Sequence, residues 1–218
     1  MTGVLPSQAL RRLIDQGGLS AQPAIQDDQI QPASLDLRLG TVAYRVRASF
    51  LAGHGRTVAD RIAEFEMHRV DLTQGAVLEK GCVYVMERLT LPHGLTAVAN
   101  AKSSTGRLDL LTRTITDGGV EFDRIAPGYV GPLYAEVCPR SFSVLVRPGM
   151  RLNQIRFRDG QSVLNDAELA ALHAVDPLVS GAAVISEGLG FSVDLRPCEG
   201  DLLGFRAKPH TGVIDLAK

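Results

Sequence analysis

Hydrophobic and polar positions follow two rhythms along this chain. Near the N-terminus Ala9, Leu10, Leu13 and Ile14 recur at three- and four-residue spacing, which predicts a short helix over 6–16 ended by Gly17-Gly18. From Ser34 the period changes to two. Ser34-Leu35-Asp36-Leu37-Arg38-Leu39 places three leucines on one face, and Tyr44-Arg45-Val46 continues the alternation. Further strands are predicted over 65–70, 82–87, 95–99, 108–114, 133–137, 142–146 and 152–157. Gly75, Gly81, Pro92-His93-Gly94, Pro127-Gly128, Gly131-Pro132 and Pro148-Gly149 punctuate them. Many short strands separated by turn residues predict a mainly β barrel or jelly roll rather than alternating βα units. A second helix is predicted over 165–174. Asn165 stands where it can cap that helix, Glu168 follows three residues on, and Pro177 lies beyond its end.

Charge narrows the function classes. The chain has 218 residues, 23 basic against 24 acidic, for a formal net charge of −1. Non-specific nucleic-acid binding needs a basic face, so nucleic acid is not an expected partner. No run approaches the ~18 apolar residues of a membrane span, so no membrane partner is expected. The first 25 residues carry Arg11, Arg12 and Asp15 and read as no signal peptide. Cys82, Cys138 and Cys198 are widely spaced and odd in number, which fits a reducing, cytoplasmic compartment. Neither a CxxC nor an HxE pattern occurs, and His54, His68, His93, His173 and His210 show no ligand spacing, so no protein-bound metal and no zinc are expected.

Three segments could carry chemistry. Ala101-Lys102-Ser103-Ser104-Thr105-Gly106-Arg107 follows an apolar run and gathers two cations, two adjacent serines and a glycine. Backbone N–H groups, hydroxyl donors and fixed positive charge at one point suit a phosphate, and a solvated polar turn is the other reading. Glu136 lies in Leu133-Tyr134-Ala135-Glu136-Val137-Cys138, on a face shared with Tyr134. That face is either wet, or buried with a carboxylate suited to proton transfer. In Arg147-Pro148-Gly149-Met150-Arg151-Leu152-Asn153-Gln154 the Pro-Gly pair marks a tight turn, and Gln154 can bond a ligand or the backbone.

Taken in order, four stretches resemble the dCTP deaminase branch of the dUTPase-like superfamily. They are Ile30-Gln31-Pro32-Ala33-Ser34-Leu35-Asp36-Leu37-Arg38-Leu39-Gly40, Lys102 to Leu108, Pro127-Gly128-Tyr129-Val130-Gly131 leading to Glu136, and Pro148 to Ile155, together spanning roughly 25 to 158. The resemblance implies a distorted jelly roll or β-barrel, with a short N-terminal helix before it and one helix after it. It implies a homotrimer with sites between subunits, and zinc-independent hydrolysis of dCTP to dUTP and ammonia. It implies that Lys102, Ser103, Ser104 and Arg107 bind the triphosphate, that Glu136 transfers protons, that Gln154 lies near the nucleotide or supports the site, and that Mg²⁺ rides on the nucleotide.

The sequence departs from that pattern in three places. Ile125-Ala126-Pro127-Gly128 stands where the family reads Ile-Asp-Pro-Gly, which weighs against phosphate hydrolysis; Asp123 could substitute if the loop 117–124 shifted register. That loop is itself long, and a closing C-terminal segment is not recognisable. Ser192-Val193-Asp194-Leu195-Arg196 nearly repeats Ser34-Leu35-Asp36-Leu37-Arg38. The expected organisation is therefore a barrel over 1–160, then a helical linker and the opening of a second, incomplete barrel over 161–218, as in a double-length form. Two other functions stay open: a dUTP diphosphatase, and a nucleotide-binding half without its own activity.

Overall fold

The computed structural model describes all residues except 1, 2, 22, 91–94, 161, 162, 197–201, 209, 210 and 218, and the side chains of 85–90 lie outside the description. The predicted turn at 92–94, Cys198 and His210 therefore fall outside the described residues. In chain order the strands are β1 (Gly3–Val4), β2 (Ile30–Gln31), β3 (Ser34–Arg38), β4 (Val42–Val46), β5 (Glu66–Asp71), β6 (Ala76–Leu78), β7 (Val83–Thr90), β8 (Thr96–Ala101), β9 (Leu110–Thr116), β10 (Arg124–Ile125), β11 (Val130–Pro139), β12 (Val144–Val146), β13 (Arg151–Asp159), β14 (Val184–Ile185), β15 (Leu189–Gly190) and β16 (Ile214–Asp215). The helices are α1 (Ser7–Asp15), α2 (Val58–Phe65), α3 (Ser103–Gly106) and α4 (Asp166–Val175). The mainly β class, the N-terminal helix and the later helix are as expected.

Two compact units divide the chain: residues 1–160 with the C-terminal 209–218, and residues 161–208. In the larger unit one sheet runs β10-β8-β13-β3-β2, with β1 added to β13, and a second runs β5-β4-β7-β11-β9. A third small sheet joins β16, β12 and β6. Alternation explains the packing. The leucines of β3 face inward, so Leu35 joins Ala97, Ala99, Ile155 and Phe157 in a core that α1 caps through Leu10. Leu39, Leu110, Val137 and Leu152 belong to a second cluster, and Val46, Val58, Ile62, Ile115 and Tyr134 to a third.

Helix α2 was not read from the pattern, although its start is written there. The Thr57 hydroxyl accepts from Asp60 N and the Asp60 carboxylate accepts from Thr57 N, a capping box that leads Val58 and Ile62 one turn apart into the core. The strand predicted over 108–114 begins later, at Leu110, because the turn after β8 continues to Asp109, whose φ is 51°.

The smaller unit holds α4 and the hairpin β14–β15. Asn165 and Glu168 form the capping box that their spacing predicted. The near-copy of β3 expected to open a second barrel is not itself a strand. Residues 191–196 form no strand, and Phe191, Val193 and Leu195 are 75%, 81% and 78% exposed. Their near-copy β3 is a strand because β13 and β2 flank it, and residues 191–196 have no such neighbours among the described residues. The C-terminal segment also departs from the expected boundary. Strand β16 pairs in parallel with β12 of the larger unit, and Arg147 clamps Asp215 with two hydrogen bonds of 2.7 and 3.1 Å.

Candidate active site

Glu136 lies at the centre of β11, opposite Arg113 of β9. Both faces of β11 are covered: Leu133 and Val137 enter core clusters on one side and Tyr134 enters the third cluster on the other. Glu136 is consequently 1% exposed, which decides between the wet and buried readings. Burying an ionised carboxylate requires a partner. Arg113 supplies it: Nε donates to Glu136 Oε1 at 3.0 Å, and a terminal N–H donates to the same oxygen. Glu136 Oε2 is buried with no hydrogen-bond partner among the described residues.

The serine-rich turn stands elsewhere. Residues 103–106 form a single helical turn after β8, pinned by Lys102 N and Thr105 Oγ1, which both donate to the Leu152 carbonyl at 2.9 and 3.0 Å. Ser103, Ser104, Gly106 and Arg107 are exposed, and a recess of about 430 Å³ lies beside Gly106, Leu110, Thr112 and Arg140. Lys102 is not part of that free surface: its ammonium is paired with Asp36 on β3. Gln154 accepts from the Ser34 hydroxyl at 3.2 Å on the neighbouring strands. Lys102 and Gln154 thus brace the strands from which the turn emerges, Ser103, Ser104 and Arg107 present it to solvent, and Glu136 is enclosed on another strand.

Ala126 lines a pocket of about 480 Å³ together with Thr96, Asp117, Arg124, Tyr129 and Arg158. The Tyr129 hydroxyl donates to the Pro132 carbonyl at 2.5 Å and accepts from Asp117 N at 3.1 Å; burial, chiefly, pushes its pKa up to about 12. Asp123 is not among the lining residues of that pocket. It staples β9 to β8 instead: its Oδ1 accepts from Thr114 N at 2.7 Å, its own N donates to Thr114 O at 2.9 Å, and its carbonyl accepts from Ala99 N at 2.8 Å. Burial holds the Asp123 carboxyl above the usual carboxylate range, and the nearby Glu136 adds to this, while the Thr114 N–H and Arg113 oppose it.

Residues 1–161 match the N-terminal domain of the family described as 2'-deoxycytidine 5'-triphosphate deaminase. The chain belongs to the dCTP deaminase family. Residues 165–218 match the C-terminal domain of the same deaminase family. A dCTP deaminase of Natronomonas pharaonis is 30% identical over 173 residues, covering 73% of this chain and 82% of that one. A dUMP-forming dCTP deaminase of Coprothermobacter proteolyticus is 29% identical over 164 residues, covering 71% and 81%. The crystal structure of a 2'-deoxycytidine 5'-triphosphate deaminase from Agrobacterium tumefaciens superposes with a TM-score of 0.88 at 50% identity. It covers all of this chain, which spans 66% of the Agrobacterium chain. The dUTPase-like fold expected from the resemblance is therefore that of a dCTP deaminase.

Sequence reasoning missed several polar groups of this deaminase-family fold. Arg113 sits in the alternating run Thr112-Arg113-Thr114 and looks like any outward strand residue until its register with Glu136 is known. Asp36 was counted as the polar side of β3, yet it is 1% exposed. On the face of β9 opposite Arg113, Thr114 Oγ1 accepts from Asn153 Nδ2 at 3.4 Å, and both residues are buried.

Proposed function

We propose that this chain hydrolyses the exocyclic amine of dCTP to give dUTP and ammonia. One observation carries the reading: a carboxylate enclosed in a β-sheet, anchored through one oxygen and unpartnered at the other. Water attacks C4 of the cytosine while Glu136 takes its proton; the C4–N bond then breaks and the proton leaves with the amine. Ser103, Ser104 and Arg107 bind the triphosphate, which suits their exposure and their two hydroxyls beside a guanidinium. Lys102 and Gln154 support the turn through Asp36 and Ser34. Mg²⁺ travels on the triphosphate, and the reaction is zinc-independent.

In our reading the working site is completed between copies of the chain, in a trimer, since the phosphate turn and Glu136 are on separate strands and one faces water while the other is enclosed. We place the protein in the cytoplasm: Cys82 and Cys138 are free thiols, and no helix among the described residues is long and apolar enough to cross a membrane.

Bacterial relatives named dUMP-forming favour a second product, dUMP with pyrophosphate. Ala126 in place of the family aspartate weighs against it. Incubation with dCTP and Mg²⁺, followed by ammonia and pyrophosphate assays, separates the two. Ammonia without pyrophosphate is expected, and pyrophosphate in equal amount overturns the product assignment. Glu136→Gln is expected to lower ammonia release ~10²–10⁴-fold with dCTP binding retained. Mixing inactive Glu136→Gln with Arg107→Ala tests the shared site: recovery of activity supports it, and none overturns it.

A further inference from the structure

Arg45, Arg113, Arg147 and Arg151 of the larger unit each hold a carboxylate. Arg107 and Arg140 do not. Both are exposed, and neither guanidinium makes a hydrogen bond or ion pair among the described residues. A carboxylate stands near both in the chain path. Asp109 follows Arg107 by two positions, and its carbonyl accepts from Arg140 N at 3.0 Å. Yet Asp109 Oδ2 is occupied by the Ser141 hydroxyl, which donates to it at 2.8 Å. The left-handed φ of 51° at Asp109 and the bond from Arg140 N tie the end of the serine turn to the end of β11. Two guanidiniums are thus left without a protein anion where one carboxylate is already engaged.

The recess of about 430 Å³ beside the serine turn is lined by Gly106 of that turn, by Asp109 and Arg140, and by the apolar Ala101, Leu110 and Leu111. That volume falls in the range of small-molecule sites. Apolar walls concentrate the field of a cation at the mouth of such a recess. We propose that Arg140 reads the length of the phosphate chain. It takes the outermost phosphate of a nucleotide whose inner phosphates rest on Ser103, Ser104 and Arg107, and so favours a triphosphate over a diphosphate. The planar fork of an arginine matches two phosphate oxygens at once. The inference rests on the reading of the serine turn given above. Arg140 and that turn belong to one chain, so the role is the same whichever copy supplies Glu136.

The test uses the full chain with Mg²⁺ and measures calorimetric affinity for dCTP and for dCDP. Arg140→Gln is expected to weaken dCTP binding roughly 10–100-fold, the loss of one charge-assisted contact, with dCDP affinity changed less than about threefold. Arg107→Ala is expected to weaken both. Inorganic tripolyphosphate, as a competitor of dCTP, should lose potency in Arg140→Gln by the same factor as dCTP, because it carries the outermost phosphate without the nucleoside. An unchanged urea midpoint is expected for this exposed residue; should Arg140→Gln not fold, Arg140→Lys takes its place, with a dCTP loss of at least about threefold expected. An unaltered ratio of dCTP to dCDP affinity in the folded Arg140 variant, beside an impaired Arg107→Ala, overturns the role of Arg140 alone. Full dCTP affinity in Arg107→Ala overturns the reading of the turn and this role with it.

Discussion

Lys102 and Asp36 form an ion pair that ties the root of the serine turn to β3, 66 positions earlier in the chain. The Asp36 side chain is 1% exposed, whereas Lys102 keeps 27% of its side chain in contact with solvent. Asp36 Oδ1 is buried and has no partner among the described residues, so Lys102 is the main compensation for an enclosed negative charge.

Removing that compensation should cost more than removing a surface ion pair. Lys102→Ala leaves the Asp36 carboxylate stranded, which destabilises by about 3–5 kcal/mol for fully buried pairs; solvent reach at Lys102 puts the expected loss near or below the lower end of that range. Urea unfolding of Lys102→Ala and of Lys102→Ala with Asp36→Leu checks it. The double variant should recover stability, because it removes the stranded charge along with the ammonium. A double variant no more stable than Lys102→Ala would refute the account.

Arg107 should behave in the opposite way. It is exposed, and its guanidinium makes no hydrogen bond or ion pair among the described residues. Arg107→Ala should leave unfolding free energy within about 0.5 kcal/mol of the parent. Calorimetric affinity for dCTP should fall roughly 10–100-fold, the loss of one charge-assisted contact to phosphate. Unchanged affinity would remove Arg107 from the phosphate site.

Asp123 makes a pH prediction. Burial raises its carboxyl above the ordinary value of 3.8, so the folded chain holds this proton at pH values where the unfolded chain has released it. The contribution of Asp123 to stability therefore falls as pH rises from 3.8 through the raised folded value. Asp123→Asn keeps an oxygen to accept from Thr114 N and tolerates the left-handed φ of 63°. Stability measured by urea unfolding across mildly acidic to neutral pH should show a flatter dependence for Asp123→Asn, with the variant at least as stable as the parent at neutral pH. A larger drop with rising pH in the variant would contradict this.

The alternation of β3, the capping box at Asn165 and the hydroxyl-rich turn after β8 were all legible in the sequence, because each is a relation among residues a few positions apart. The same local rules placed Glu136 on the face it shares with Tyr134. They stopped at the question of whether that face is wet, since alternation sorts side chains to two sides without saying what covers each. Local similarity also misled: residues 192–196 copy the pattern of β3, yet a strand exists only where another strand offers it hydrogen bonds.

Sequence alone thus determined the mainly β class, the family, and the serine-rich turn and acidic residue to which we assign phosphate binding and proton transfer. Tertiary structure decided that Glu136 is enclosed, that Arg113 stands beside it, that Lys102 serves Asp36, and that the last residues return to pair with β12. The division has one physical cause. Propensity, capping and periodicity act over one or two turns of chain. Sheet order and register join residues tens of positions apart, and they are settled only when whole strands compete for neighbours and for burial.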